Sequence, residues 1–124
     1  MPSAVREWVA KADADFRSAQ RLLRARKDPD FDGAFFHAQQ CVEKLMKAVL
    51  IRKKTVPPKT HDLIVLHDLL ARAIKTWTAD EPSLRFLTRG AVVFRYPGAS
   101  ATRDEAKRAV KLAKSLREAL LAYV

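Results

Sequence analysis

Phe35-Phe36-His37-Ala38-Gln39-Gln40-Cys41-Val42-Glu43-Lys44-Leu45-Met46-Lys47-Ala48-Val49-Leu50 is the stretch on which the fold turns. Phe35, Ala38, Val42, Leu45 and Val49 recur at steps of three and four, the spacing that lines up one face of an α-helix. Phe36, Cys41, Met46, Ala48, Leu50 and Ile51 widen that face until Gln39, Gln40, Glu43, Lys44 and Lys47 are the polar residues left. A helix apolar over most of its circumference must be covered on most sides, so this one, expected over 32–53, is the centre of a bundle.

The flanking segments supply the cover. Trp8, Ala12, Phe16, Ala19 and Leu23 make one apolar stripe of a helix expected over 4–26, with Lys11, Arg17, Arg21 and Arg24 off it. Asp28-Pro29-Asp30 ends that helix, because proline cannot continue it and aspartate favours turns. After the central helix, Lys53-Lys54-Thr55-Val56-Pro57-Pro58-Lys59 reads as a stiff basic connector. Thr60 is then the expected N-cap of a helix over 61–75 that turns Leu63, Leu66, Leu70 and Ala73 inward. Asp80-Glu81-Pro82 opens a helix over 81–93, which Arg95-Tyr96-Pro97-Gly98 breaks. Thr102 caps a last helix over 103–122, with Ala106, Ala109, Ala113, Leu116 and Leu120 inward and Lys107, Lys111 and Lys114 outward. No sustained period-two alternation and no hairpin turn signal a strand. The expected architecture is all-α: an antiparallel up-and-down bundle of about five helices in one domain, 1–124.

Composition narrows the function classes. The chain has 124 residues, 24 Lys and Arg against 14 Asp and Glu, and a formal charge of +10. Apolar content of 48% with 31% charged residues argues against disorder. No apolar run reaches the roughly 20 residues of a membrane span, and the first residues do not read as a signal peptide. A lone cysteine, Cys41, fits a reducing cytoplasm, the expected location.

Catalytic and metal-binding motifs are sparse in the chain. His37 and Cys41 stand four apart on the central helix, but zinc needs three or four converging ligands and neither CxxC nor HExxH occurs. No metal or cofactor is expected. Cys41 lies in an apolar run, where a buried thiol is inert. There is no GxSxG, P-loop or GxGxxG. Asp13 with Asp15 and Asp28 with Asp30 stand two apart, point to different faces, and read as solvated charges. Basic residues do concentrate: Lys44, Lys47, Arg52, Lys53, Lys54 and Lys59 near the end of the central helix, with about as many on the first and last helices. Such faces can bind phosphate backbones.

Three stretches in register resemble the HEPN family (higher eukaryotes and prokaryotes nucleotide-binding). The 35–50 segment resembles its FHAQQAxEKxLKAxL helix, Thr60-His61-Asp62-Leu63 with Leu66 and Leu70 resembles its HdLxxLl segment, and Arg95-Tyr96-Pro97 precedes the final helix as it does there. The resemblance implies a helical bundle, commonly a homodimer, many of whose relatives are encoded beside or fused to a minimal nucleotidyltransferase. It also implies kinship with metal-independent ribonuclease toxins, whose signature is an Arg followed by four to six residues and a His. There the His would act as general acid or base and the Arg would stabilise the phosphorane.

This chain lacks that signature. The positions five to seven before His37 are Asp30, Phe31 and Asp32; before His61, Lys54, Thr55 and Val56; before His67, Thr60, His61 and Asp62. None is arginine, and Ser100, Ala101 and Thr102 stand at the matching distance after Arg95. The expectation is therefore a non-catalytic HEPN-type module, dimeric, in a toxin–antitoxin-like setting, binding a nucleotide, RNA or a minimal nucleotidyltransferase. The expected binding residues are Gln39, Gln40, Glu43, Lys44, Lys47, Arg95 and Tyr96, with Glu43 paired to Arg95 or a lysine. Arg52, Lys53, Lys54, Lys59, Lys107, Lys111 and Lys114 form the expected basic surface. Phe36 and Met46, beside the polar stripe, are the apolar candidates for a dimer contact. A ribonuclease toxin with a non-standard site around Arg95, Tyr96 and either His37 or His61 is one alternative. A purely structural partner protein is the other.

Overall fold

The computed structural model describes all 124 residues apart from the side chain of Arg95. Five α-helices make up the chain: α1 (Ser3–Arg24), α2 (Phe31–Arg52), α3 (Leu63–Ala73), α4 (Glu81–Val92) and α5 (Arg103–Leu121). A short 3-10 turn, Val93–Arg95, extends α4. All bounds fall within two residues of the expected ones. The largest departure is at α3, where Asp62 rather than Thr60 is the N-cap, its carboxylate accepting from the Ile64 N–H. Thr60 instead accepts from the Asp62 N–H. Leu63 sets that later start: it is fully buried, and its N–H, an orphan in the first turn, donates to the Thr88 hydroxyl on α4.

The other helix starts follow the sequence more closely. Asp30 caps α2 through the Gly33 N–H. Asp80 caps α4, and the Ser83 hydroxyl beside it holds its carboxyl below the usual range. Thr102 and Glu105 close a reciprocal capping box on α5, where the Thr102 N–H keeps the Glu105 carboxyl low.

Cross-contacts fix the topology. Along α1 and α2, Lys47 lies over Trp8, Lys44 and His37 meet Asp15, and the Asp30 N–H donates to the Leu22 carbonyl. One number climbs as the other falls, so the two helices are antiparallel. Leu63 with Thr88 and His67 with Glu81 set α3 against α4 in the same way. Arg89 with Glu105 and Arg108 over Phe86 do so for α4 and α5. Between α2 and α3 the chain returns over 53–62, so that His61 sits beside Gln39 and Glu43 in the middle of α2.

As its circumference requires, α2 packs against α1, α3, α4 and α5. Phe35, fully buried, lies at ring-centroid distances of 4.9 Å from both Phe86 and Phe94. Gly90 allows that approach: a Cβ there would stand 2.4 Å from the Phe35 ring and 3.0 Å from its carbonyl oxygen. Met46 is also fully buried, so of the two apolar residues expected beside the polar stripe only Phe36, half-buried, reaches the surface. No helix is long and apolar enough to cross a membrane.

Candidate functional site

The polar residues of α2 are gathered around two carboxylates. Glu43 Oε1 accepts from Gln39 Nε2 at 3.2 Å and from Gln40 Nε2 at 3.4 Å, and lies 2.9 Å from His61 Nδ1. Its Oε2 accepts from the Lys47 ammonium at 3.1 Å. Gln39 also donates to the His61 carbonyl at 3.0 Å and accepts from Gln40 at 2.7 Å. Spacing explains the assembly: 39, 40, 43 and 47 stand three and four apart on one side of a helix, and the returning connector delivers His61 to that side.

The second centre is Asp15 of α1. Its Oδ1 lies 2.8 Å from His37 Nδ1 and its Oδ2 accepts from Lys44 at 2.6 Å. Asp15 read as a solvated charge in the sequence, but in the fold it is buried. The signal was present: Asp15 stands three after Ala12 and four before Ala19, on the apolar stripe, and a charge there needs partners. Asp13, two residues away, leaves that stripe and pairs with Arg117 of α5 at 3.0 Å.

Burial divides the expected site residues. Gln39, Glu43 and Lys47 are buried, and no buried side-chain polar atom lacks a partner among the described residues. His37, Gln40 and Lys44 are half-buried, and the His61 side chain is 61% exposed. The fold thus makes a rim of His37, Gln40, Lys44 and His61 over a floor that holds them in place. Both histidines offer Nδ1 to a carboxylate, which assigns the proton to Nδ1 when the ring is neutral and leaves Nε2 as an acceptor. Lys47 also lies 5.8 Å from the Trp8 ring centre, beside a shallow concavity of about 300 Å³ lined by Glu7, Trp8 and Lys11.

Tyr96 does not join this network; it is exposed on the turn after α4. The expected contact of Arg95 with Glu43 lies outside the described residues, and Lys47 fills the role of a basic partner. Asp62 caps α3, whereas His61, the residue before it, is drawn to Glu43. Among the expected basic residues, Arg52, Lys53, Lys54, Lys59, Lys107, Lys111 and Lys114 are all exposed.

Cys41 is fully buried, and burial pushes its thiol up to about 12. At pH 8 the thiolate is then a fraction of about one in ten thousand, so an alkylating reagent should leave the folded protein unlabelled and react once denaturant unfolds it. Rapid labelling of the native protein would contradict this burial.

Elsewhere, His67, Asp68 and Glu81 bring three possible ligand atoms within 4.8 Å of one another. The indole N–H of Trp77 donates to His67 Nδ1 at 2.9 Å, which puts the ring proton on Nε2. The nitrogen facing Glu81, 3.9 Å away, therefore has no lone pair to give an ion. This hydrogen bond couples residues ten apart through the α3–α4 loop, a pairing that no local sequence pattern marks.

Comparison with known proteins agrees with the geometry. The HEPN domain family profile matches residues 5–123. The solved structure of TT1696 from Thermus thermophilus is similar over 99% of this chain and 100% of its own, with TM-score 0.80 and 23% identity. That of ST0689, an archaeal HEPN homologue, is similar over 95% of both chains, with TM-score 0.68 and 19% identity. No curated protein matches the sequence.

Proposed function

We propose, because this chain belongs to the HEPN domain family, that it is a non-catalytic, dimeric module that binds RNA or a nucleotide and docks on a minimal nucleotidyltransferase. The observation that carries this reading is the way the α2 motif is used. Glu43, Gln39 and Lys47 are consumed in holding the fold, while His37, Gln40, Lys44 and His61 present donors and acceptors at the surface. A rim of amide, ammonium and imidazole groups suits phosphate oxygens and base edges. No arginine stands at nuclease spacing from any histidine, so the rim binds without a signature for cleaving. Mixing the pure protein with labelled nucleotides and short RNAs at low and high salt tests the reading. Saturable binding supports it; no binding and no association with a co-expressed minimal nucleotidyltransferase would remove it.

One observation favours a second reading. His61 is exposed, and its Nδ1 is oriented by a buried carboxylate that Lys47 and Gln39 fix in turn. A histidine so held has the form of a general base. Metal-free RNA cleavage that disappears in His61→Ala would establish it, and intact RNA after long incubation at high protein concentration would dismiss it.

A further inference from the structure

The positive charge of this chain is not spread evenly, and the fold joins two stripes whose nearest members, Arg24 and Arg103, are separated by most of the sequence. On α1, Arg17, Arg21 and Arg24 continue at helical spacing from Asp13. On α5, steps of three and four back from Arg117 meet Lys114, Val110, Lys107 and Arg103. Asp13 and Arg117 are bonded to each other, and Arg117 also lies over the Phe16 ring of α1. At the other end Arg103 lies over Phe31, next to the Asp30 N–H that bonds Leu22 of α1. The stripes therefore run antiparallel along one seam, tied directly at the Asp13–Arg117 end and brought near each other at the other end through the start of α2.

Six exposed cations line that seam: Arg17, Arg21, Arg24, Arg103, Lys107 and Lys114. The one carboxylate on either stripe, Asp13, is already taken by Arg117. Among the described residues none of the six has an ion-pair partner. Helix dipoles favour Arg21 and Arg24 in the last turn of α1, but they disfavour Arg103 at the first residue of α5. Local helix stability does not account for the set. The large exposed apolar residues, Met1, Val56, Val65, Val92, Val93 and Tyr96, all lie off the two stripes. The seam thus lacks the apolar anchors a membrane surface or a protein partner would use. What remains complementary to it is a chain of phosphates, which arginine forks and lysine ammonium groups contact without reading bases.

We infer that the α1–α5 seam is the face that binds the phosphate backbone of RNA. The inference rests on the nucleic-acid part of the function proposed above and separates its two ligands: the rim over Glu43 and Asp15 takes a nucleotide, and the seam, on the far side of α1, takes the RNA backbone. The connector cations Lys53, Lys54 and Lys59, equally exposed, are then bystanders.

The test compares the wild type with two variants of equal charge change, Arg17→Gln/Lys107→Gln/Lys114→Gln and Lys53→Gln/Lys54→Gln/Lys59→Gln. Binding of a fluorescent single-stranded RNA is titrated between about 50 and 200 mM salt. Each lost phosphate contact removes about 0.7 from the slope of log K on log salt. The seam variant should lose about 2 in slope and bind roughly a hundredfold more weakly at about 0.1 M salt. The connector variant should match the wild type. Unchanged urea midpoints in both variants show that the fold is intact. Equal losses in the two, or a loss confined to the connector variant, would overturn the seam while leaving RNA binding standing. A wild type that does not bind at the lowest salt, or that binds anionic vesicles and not RNA, would overturn the seam together with the reading beneath it.

Discussion

Glu43→Ala is expected to destabilise the protein by about 3–4 kcal/mol, the usual cost of removing one partner from a buried ion pair. The carboxylate is buried and receives four polar partners, and Lys47, also buried, has it as its one ion-pair partner among the described residues. Truncation leaves the ammonium near the Trp8 ring with no counter-charge, and the ring face compensates for little of that loss. Gln39 keeps its bond to the His61 carbonyl, so the loss concentrates on Lys47 and on the tether of the returning connector. With a slope of about 2 kcal/mol per molar urea, the midpoint should fall by about 1.5–2 M. Replacing the pair together, Glu43→Leu with Lys47→Met, should recover most of the loss, because no charge is then stranded. A Glu43→Ala midpoint equal to that of the wild type would mean that the carboxylate does not hold the fold.

Phe35→Ala should cost about 4 kcal/mol, in the range for deleting a fully buried phenylalanine. Phe35 touches Phe86 and Phe94, and Gly90 exists in its glycine form to let the ring sit where it does. The cavity would open where α2 meets α4, and the rigid ring contacts around it would not collapse to fill it. The neighbouring Phe36, one position round the helix and half-buried, provides the contrast. Its replacement by alanine should cost less than half as much. Similar urea midpoints for the two variants would contradict the assignment of Phe35 to the centre of the core.

These two side chains also show what the sequence made legible. Phe35 belongs to a periodic stripe, and periodicity is a local property, so the helices and their bounds could be read within two residues. Capping was nearly as local. Asp30, Asp80 and Thr102 act within three residues of themselves. Thr60 failed as a cap because Thr88, on another helix, settles where Leu63 begins α3. The site was half legible. Gln39, Gln40, Glu43 and Lys47 share a helix face, so their meeting followed from spacing, and the lysine partner of Glu43 was among those expected. The Asp15 centre and the delivery of His61 to Glu43 join residues 18 to 29 apart through the packing of separate elements. No local pattern encodes those pairs, apart from the oddity of a charge on an apolar stripe at position 15. The α1–α5 seam was hidden for the same reason. Each basic stripe could be seen alone, but only the antiparallel packing sets them edge to edge.

Binding without cleavage is the central claim, and one sample can test both halves. End-labelled RNA is incubated with the purified protein at low salt in the presence of a chelator. The bound fraction is separated on a native gel and then run on a denaturing one. The account predicts RNA that is bound, released by salt, and recovered at full length. RNA that stays unbound, or that returns shortened, would contradict it.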